Sequence, residues 1–136
     1  MFEMLKLTEM LEMIRNKDVK KYNYENLEVY NLAIELVVII YKITAKFPKE
    51  EIFGLTSQIK RASTSIALNI AEGSSRLSKK DFAIFIERSI GSTIEVRSAL
   101  EISEKLGFIE KPDADLLNKI DEIFFKLQKL KKYLRS

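Results

Sequence analysis

The chain has 136 residues, 23 Lys+Arg against 20 Asp+Glu for a net charge of +3, and a composition 46% hydrophobic and 32% charged. That is the size of one domain with a core, and too apolar for a disordered chain. With no Cys and no His, disulfides, Cys/His zinc sites, thiol nucleophiles, Ser-His triads and His-dependent ribonuclease chemistry are excluded.

Residues 1–17, MFEMLKLTEMLEMIRNK, carry Glu3, Glu9 and Glu12 where a secretory signal needs an apolar core. Phe2 to Arg15 has instead the pattern of a short amphipathic helix, with a charged linker from Asn16 to Tyr24 behind it. The longest apolar run, Leu36 to Tyr41, is six residues, against the ~20 that cross a bilayer. A cytoplasmic protein is expected, divided into an N-terminal extension over residues 1–24 and one helical domain over 25–136.

Four Gly and two Pro punctuate the chain. The first core helix is predicted from about Leu27 to Lys46, ended by Pro48; the second from about Leu55 to Glu72, with Thr56 or Ser57 as its cap. Ser78-Lys79-Lys80-Asp81 approximates a capping box for the third, which ends before Gly107 as its C′ residue. The fourth starts near Pro112-Asp113 and runs close to the C-terminus. Its Leu116, Ile120, Ile123, Leu127, Leu130 and Leu134 step by fours and threes, as do Leu55, Ile59, Ala62, Ile66 and Ile70 in the second. In the third, Phe82, Phe85, Ile86, Ser89, Thr93, Val96 and Leu100 share a face. The β-branched run 37–40 has strand character, but no breaker interrupts Leu27 to Phe47. The fold class expected is all-α, an antiparallel up-down four-helix bundle.

Three helices carry a second apolar face. Val38 and Ile39 lie in a run that is apolar all round the first helix. Ile84 and Ile102, with Gly91 between them and Ala99 nearby, lie opposite the core face of the third, and Phe125 is well off the leucine seam of the fourth. These five large residues are the expected oligomer interface. The bland alternative is scattered surface hydrophobes, some covered by the N-terminal helix.

The carboxylate pairs Glu101/Glu104 and Asp121/Glu122 lie near Lys105 and Lys119 and read as solvated faces rather than general acids and bases. The Ser/Thr-rich stretches of the second helix would need Lys60 or Glu72 as activating base; small hydroxyl residues more often mark close helix packing. Neither catalysis nor a cofactor or metal is expected.

Basic charge is the most informative polar feature. Residues 1–24 sum to +1 (five basic, four acidic), 25–110 to −1 (eleven, twelve) and 111–136 to +3 (seven, four). Lys126, Lys129 and Lys132 belong to a C-terminal stretch with no acid after Glu122, and Lys60, Arg61, Arg76, Lys79 and Lys80 join the second and third helices. Such residues suit a phosphate backbone; cations at a helix C-terminus also complement its dipole.

Several segments together carry a family resemblance: Asn26-Leu27-Glu28-Val29-Tyr30, Phe47-Pro48-Lys49-Glu50-Glu51, Phe53 to Ala62, Asn69-Ile70-Ala71-Glu72-Gly73, Ser78 to Phe82 and Leu106-Gly107-Phe108-Ile109. From about Asn26 onward the chain resembles the four-helix-bundle proteins encoded in intervening sequences of bacterial large-subunit (23S) ribosomal RNA genes. Accessory variability proteins of diversity-generating retroelements are similar at greater distance. The resemblance implies a non-enzymatic homopentamer. From the retroelement relatives it implies contact with RNA or DNA through Lys60, Arg61, Arg76, Lys79 and Lys80, or an adaptor role beside a reverse transcriptase. Asn69, Glu72 and Gly73 read as structural, Glu72 pairing with Arg76 and Gly73 releasing the helix. Where many family members have Pro-Ser, this chain has Ala67-Leu68, which predicts a straighter second helix.

Overall fold

The computed structural model describes Tyr24 and residues 27–136; the expected N-terminal helix lies outside the described residues. Four α-helices follow in order and no strand occurs among them: α1 (Glu28–Thr44), α2 (Leu55–Ser74), α3 (Lys79–Lys105) and α4 (Ala114–Leu134). A 3-10 turn, Lys49–Glu51, interrupts the first connection. α1 packs on α2 and α4, and α3 on the same two, with no direct α1–α3 or α2–α4 packing. No described helix is long and apolar enough to cross a membrane.

The heptad-like faces become the core. Leu36 and Ile40, Ile59, Ile66 and Ile70, Ile86, Val96 and Leu100, and Ile123 and Leu127 are shut off from water. At about 1.5–3 kcal/mol for each large aliphatic side chain buried, they dominate the stabilisation. The run 37–40 is helical, its outward members absorbed on an α1 surface rather than in a strand.

The helix ends follow local chemistry. The Ser78 hydroxyl accepts from Asp81 N at 3.0 Å, and the Asp113 carboxylate from Leu116 N at 2.8 Å, satisfying donors that helix geometry leaves free. Gly107 has φ +78, and Phe108 N donates to Ser103 O at 2.9 Å, the closing bond of a Schellman motif. The motif aims Phe108 at Phe47, their ring centroids 5.6 Å apart, which ties the α1–α2 and α3–α4 connections together.

Two expectations about α2 are corrected. Neither Thr56 nor Ser57 caps it. Gly54 is the N-cap residue, and Glu51 from the 3-10 turn folds its carboxylate back to accept from Leu55 N at 3.0 Å. Thr56 is buried with its hydroxyl unpartnered. Gly73 does not release the helix, which continues to Ser74. It lets α3 approach, since a methyl there would lie 2.7 Å from Phe85 Cβ.

Candidate nucleic-acid interface

α2 and α3 meet along small and hydroxylated residues. Ser89 donates to Ile66 O at 2.8 Å, Ser92 to the Ser65 hydroxyl at 2.9 Å, and the Asn69 amide to Ser65 O at 2.8 Å. Ser63 and Thr64 donate to Lys60 O at 2.9 and 3.1 Å. These hydroxyls serve helix contact and helix carbonyls, and Lys60 rests its ammonium 4.7 Å from the Tyr41 ring centroid. Glu101, Asp121 and Glu122 are exposed and Glu104 half-buried.

The basic residues do not form one surface. Lys60 and Arg61 lie near the start of α2 and Arg76 just past its end, sixteen residues or about 24 Å of helix further on. Of the other three, Lys79 reaches the C-terminal turn of α4, and Arg76 stays on Glu72 and the Phe85 ring. Lys79 Nζ stands 4.5 Å from the Tyr133 ring centroid. Glu87 on α3 binds Arg135 and, at 3.6 Å, Lys131. Lys126 pairs with Glu28 at the start of α1 at 3.2 Å and with Glu122 at 3.8 Å. These cross-links define one end of the molecule, formed by Glu28 and residues 72–88 and 126–136. It carries nine Lys/Arg against four acids, a net of +5. The opposite end, residues 41–61 and 95–115, balances eight against eight.

Charge at the basic end falls into two kinds. Arg76 is paired with Glu72 at 3.0 Å and lies 4.6 Å from the Phe85 ring centroid, with Arg88 at 4.7 Å from the same ring. Lys79, Lys80, Lys129 and Lys132 enter no ion pair among the described residues. Lys129 and Lys132 line one shallow depression with Lys131 and Arg135. The reach of Lys79 to Tyr133 spans 54 residues of sequence and has no signal in local spacing.

The residues expected at an oligomer contact divide similarly. Val38 is 48% exposed, Ile84 41%, Ile102 47% and Phe125 67%. Ile39 is half-buried against the core, and Ala99 is buried within it, because both lie on core-facing flanks of their helices. At Gly91 an added methyl would meet nothing within 4 Å.

The described residues thus form an all-α protein of four helices with one strongly cationic end. The family profile of the 23S rRNA-intervening sequence proteins matches residues 25–129. The chain belongs to that family. Among solved structures it is similar to a protein of unknown function of the S23 ribosomal protein family from Bacteroides thetaiotaomicron. The two are 22% identical over 78% of this chain and 94% of that one, with a TM-score of 0.57, a likeness of fold. No curated protein matches.

Proposed function

We propose that the protein is a non-enzymatic, homo-oligomeric helical scaffold, an up-down four-helix bundle repeated in a pentameric ring, that binds RNA or DNA through its basic end. The observation that carries the reading is the asymmetry of net charge, +5 at one end against zero at the other; at the basic end Lys79, Lys80, Lys129 and Lys132 enter no ion pair among the described residues. Unpaired exposed ammoniums release counterions when they meet phosphates. Repetition of a weak patch around a ring multiplies its affinity. The exposed Val38, Ile84, Ile102 and Phe125 support self-association, and the family resemblance implies five copies.

Size exclusion coupled to light scattering, with a mixed oligonucleotide pool, tests both halves. The expected result is a mass near five chains that co-elutes with nucleic acid at low salt and alone at high salt. A multimer that ignores the pool at every salt concentration would replace the nucleic-acid reading with that of a protein adaptor. The subunit contact has its own test in Gly91→Arg. In a lone protomer the open space around Gly91 accommodates the side chain, and removing a mid-helix glycine favours the helix by about 0.5–1 kcal/mol. The variant is therefore expected to keep or raise its Tm when dilute while its mass falls. An unchanged mass would remove the Gly91 face from the interface.

A further inference from the structure

Phe53, the last residue before the Gly54 cap, is 96% exposed. It stands at the rim of a groove of about 570 Å³ between the N-terminal part of α2 and the middle of α3, lined also by Ser57, Gln58, Arg61, Ser65 and Glu95. A free phenyl ring is costly to leave in water, worth about 1.5–3 kcal/mol when covered, and the groove has the volume of a small-molecule site. Its lining is mixed in sign. Arg61 and Glu95 share the groove without pairing with each other. Glu95 accepts from the Gln58 amide at 3.3 Å through one carboxylate oxygen, which leaves the other oxygen to accept. The Ser65 hydroxyl accepts from Asn69 at 2.9 Å and from Ser92 at 2.9 Å, so its own proton is available to donate.

We infer that this groove binds one unpaired nucleotide of a single strand: the base stacks on Phe53, Glu95 and Gln58 meet its edge, and Arg61 holds the adjoining phosphate. Stacking on an exposed ring accepts any base, whereas a carboxylate acceptor selects bases with an exocyclic amine. Adenine, cytosine and guanine satisfy Glu95 through that amine; uracil and thymine offer only an N3–H flanked by two carbonyl oxygens, which repel a carboxylate. A duplex, with its bases stacked and paired, presents neither a free face nor a free edge. The inference rests on the nucleic-acid reading above but concerns the opposite end of the molecule, so the two fail separately.

The experiment is fluorescence anisotropy of labelled short oligoadenylate, oligouridylate and a duplex, titrated with the full chain, Phe53→Ala, Glu95→Gln and the pair Lys79→Glu/Lys80→Glu. Phe53→Ala is expected to weaken oligoadenylate binding about tenfold, the scale of one lost base–aromatic stack, with Tm and assembly mass unchanged. Glu95→Gln, whose amide can also turn its NH2 toward the uracil carbonyls, is expected to narrow the preference for oligoadenylate over oligouridylate. The inference is overturned if Phe53→Ala binds as the unsubstituted chain does or if it lowers the assembly mass, which would make Phe53 a subunit contact. Duplex binding as tight as oligoadenylate binding would overturn it as well. Loss of binding in Lys79→Glu/Lys80→Glu with none in Phe53→Ala sinks this site and leaves the basic end standing; the reverse pattern sinks the basic end alone.

Discussion

Reversing Lys79 and Lys80 to glutamate is expected to weaken nucleic-acid binding about 100-fold near physiological salt and to halve its dependence on salt. The paired cations contribute little to either quantity: Arg76 already neutralises Glu72, Lys131 and Arg135 share Glu87, and Lys126 faces Glu28 and Glu122. At this end that leaves the ammoniums of Lys79, Lys80, Lys129 and Lys132 to meet phosphates, since the fifth unpaired cation, Arg88, rests its guanidinium on the Phe85 ring. With about four phosphates neutralised, log K falls with log salt at a slope of about −2.8 on a single strand or −3.6 on a duplex, and removing two contacts brings these to about −1.4 or −1.8. An exposed attraction at ~4 Å is worth about 1 kcal/mol, and reversal adds a repulsion of similar size. Two sites screened over a Debye length of ~10 Å then lose nearly 3 kcal/mol, which is the hundredfold. Titrations at several salt concentrations read slope and affinity together. An unchanged slope would show that phosphates never approach this end, whatever the affinity does. Lys126→Glu is the matched control. It breaks two surface ion pairs of modest worth and is expected to leave the slope close to its original value.

The sequence-derived fold was legible where one local rule dominated. The four-three spacing of Leu116 to Leu134 and of Leu55 to Ile70 located two buried faces, because only one arc of a helix can turn inward. Ser78, Asp113 and Gly107 marked helix ends through chemistry confined to four or five neighbouring residues. The α2 cap was not legible, since Glu51 reaches Leu55 N only after a 3-10 turn bends the connection, and Thr56, a good cap by type, is carried into the core. The grouping of cations is hidden in the sequence for a related reason. Closeness in sequence joined Lys60 to Arg76, yet a helix converts sixteen residues into about 24 Å. The real neighbours of Lys79 lie at the far end of the chain. Phe53 stands within the family signature, yet its exposure is not legible there, because exposure depends on what surrounds a side chain and leaves no mark in spacing.

Gly73→Ala is expected to destabilise the protein by up to about 2 kcal/mol despite being a favourable change for an isolated helix. The added methyl would lie 2.7 Å from Phe85 Cβ and 2.9 Å from Phe82 Cδ1. The first of these is anchored directly to the α3 backbone, so relief requires the two helices to separate. Overpacking of this kind costs about 1–3 kcal/mol, and the gain in helix propensity of nearly 1 kcal/mol offsets only part of it. Separation would also disturb the stack of Arg76 and Arg88 on Phe85, which links the basic end to the crossing of α2 and α3. Gly107 supplies the opposite case. It has φ +78 and open space around it, so Gly107→Ala costs about 1–2 kcal/mol through backbone conformation alone, and Gly107→Asn recovers part of the loss because asparagine tolerates the left-handed region. At Gly73 asparagine should be worse than alanine, being larger. Thermal melts of the four variants separate the two roles: if Gly73→Asn melted above Gly73→Ala, Gly73 would be acting as a helix terminator and the close approach of α2 to α3 would not be what selects it.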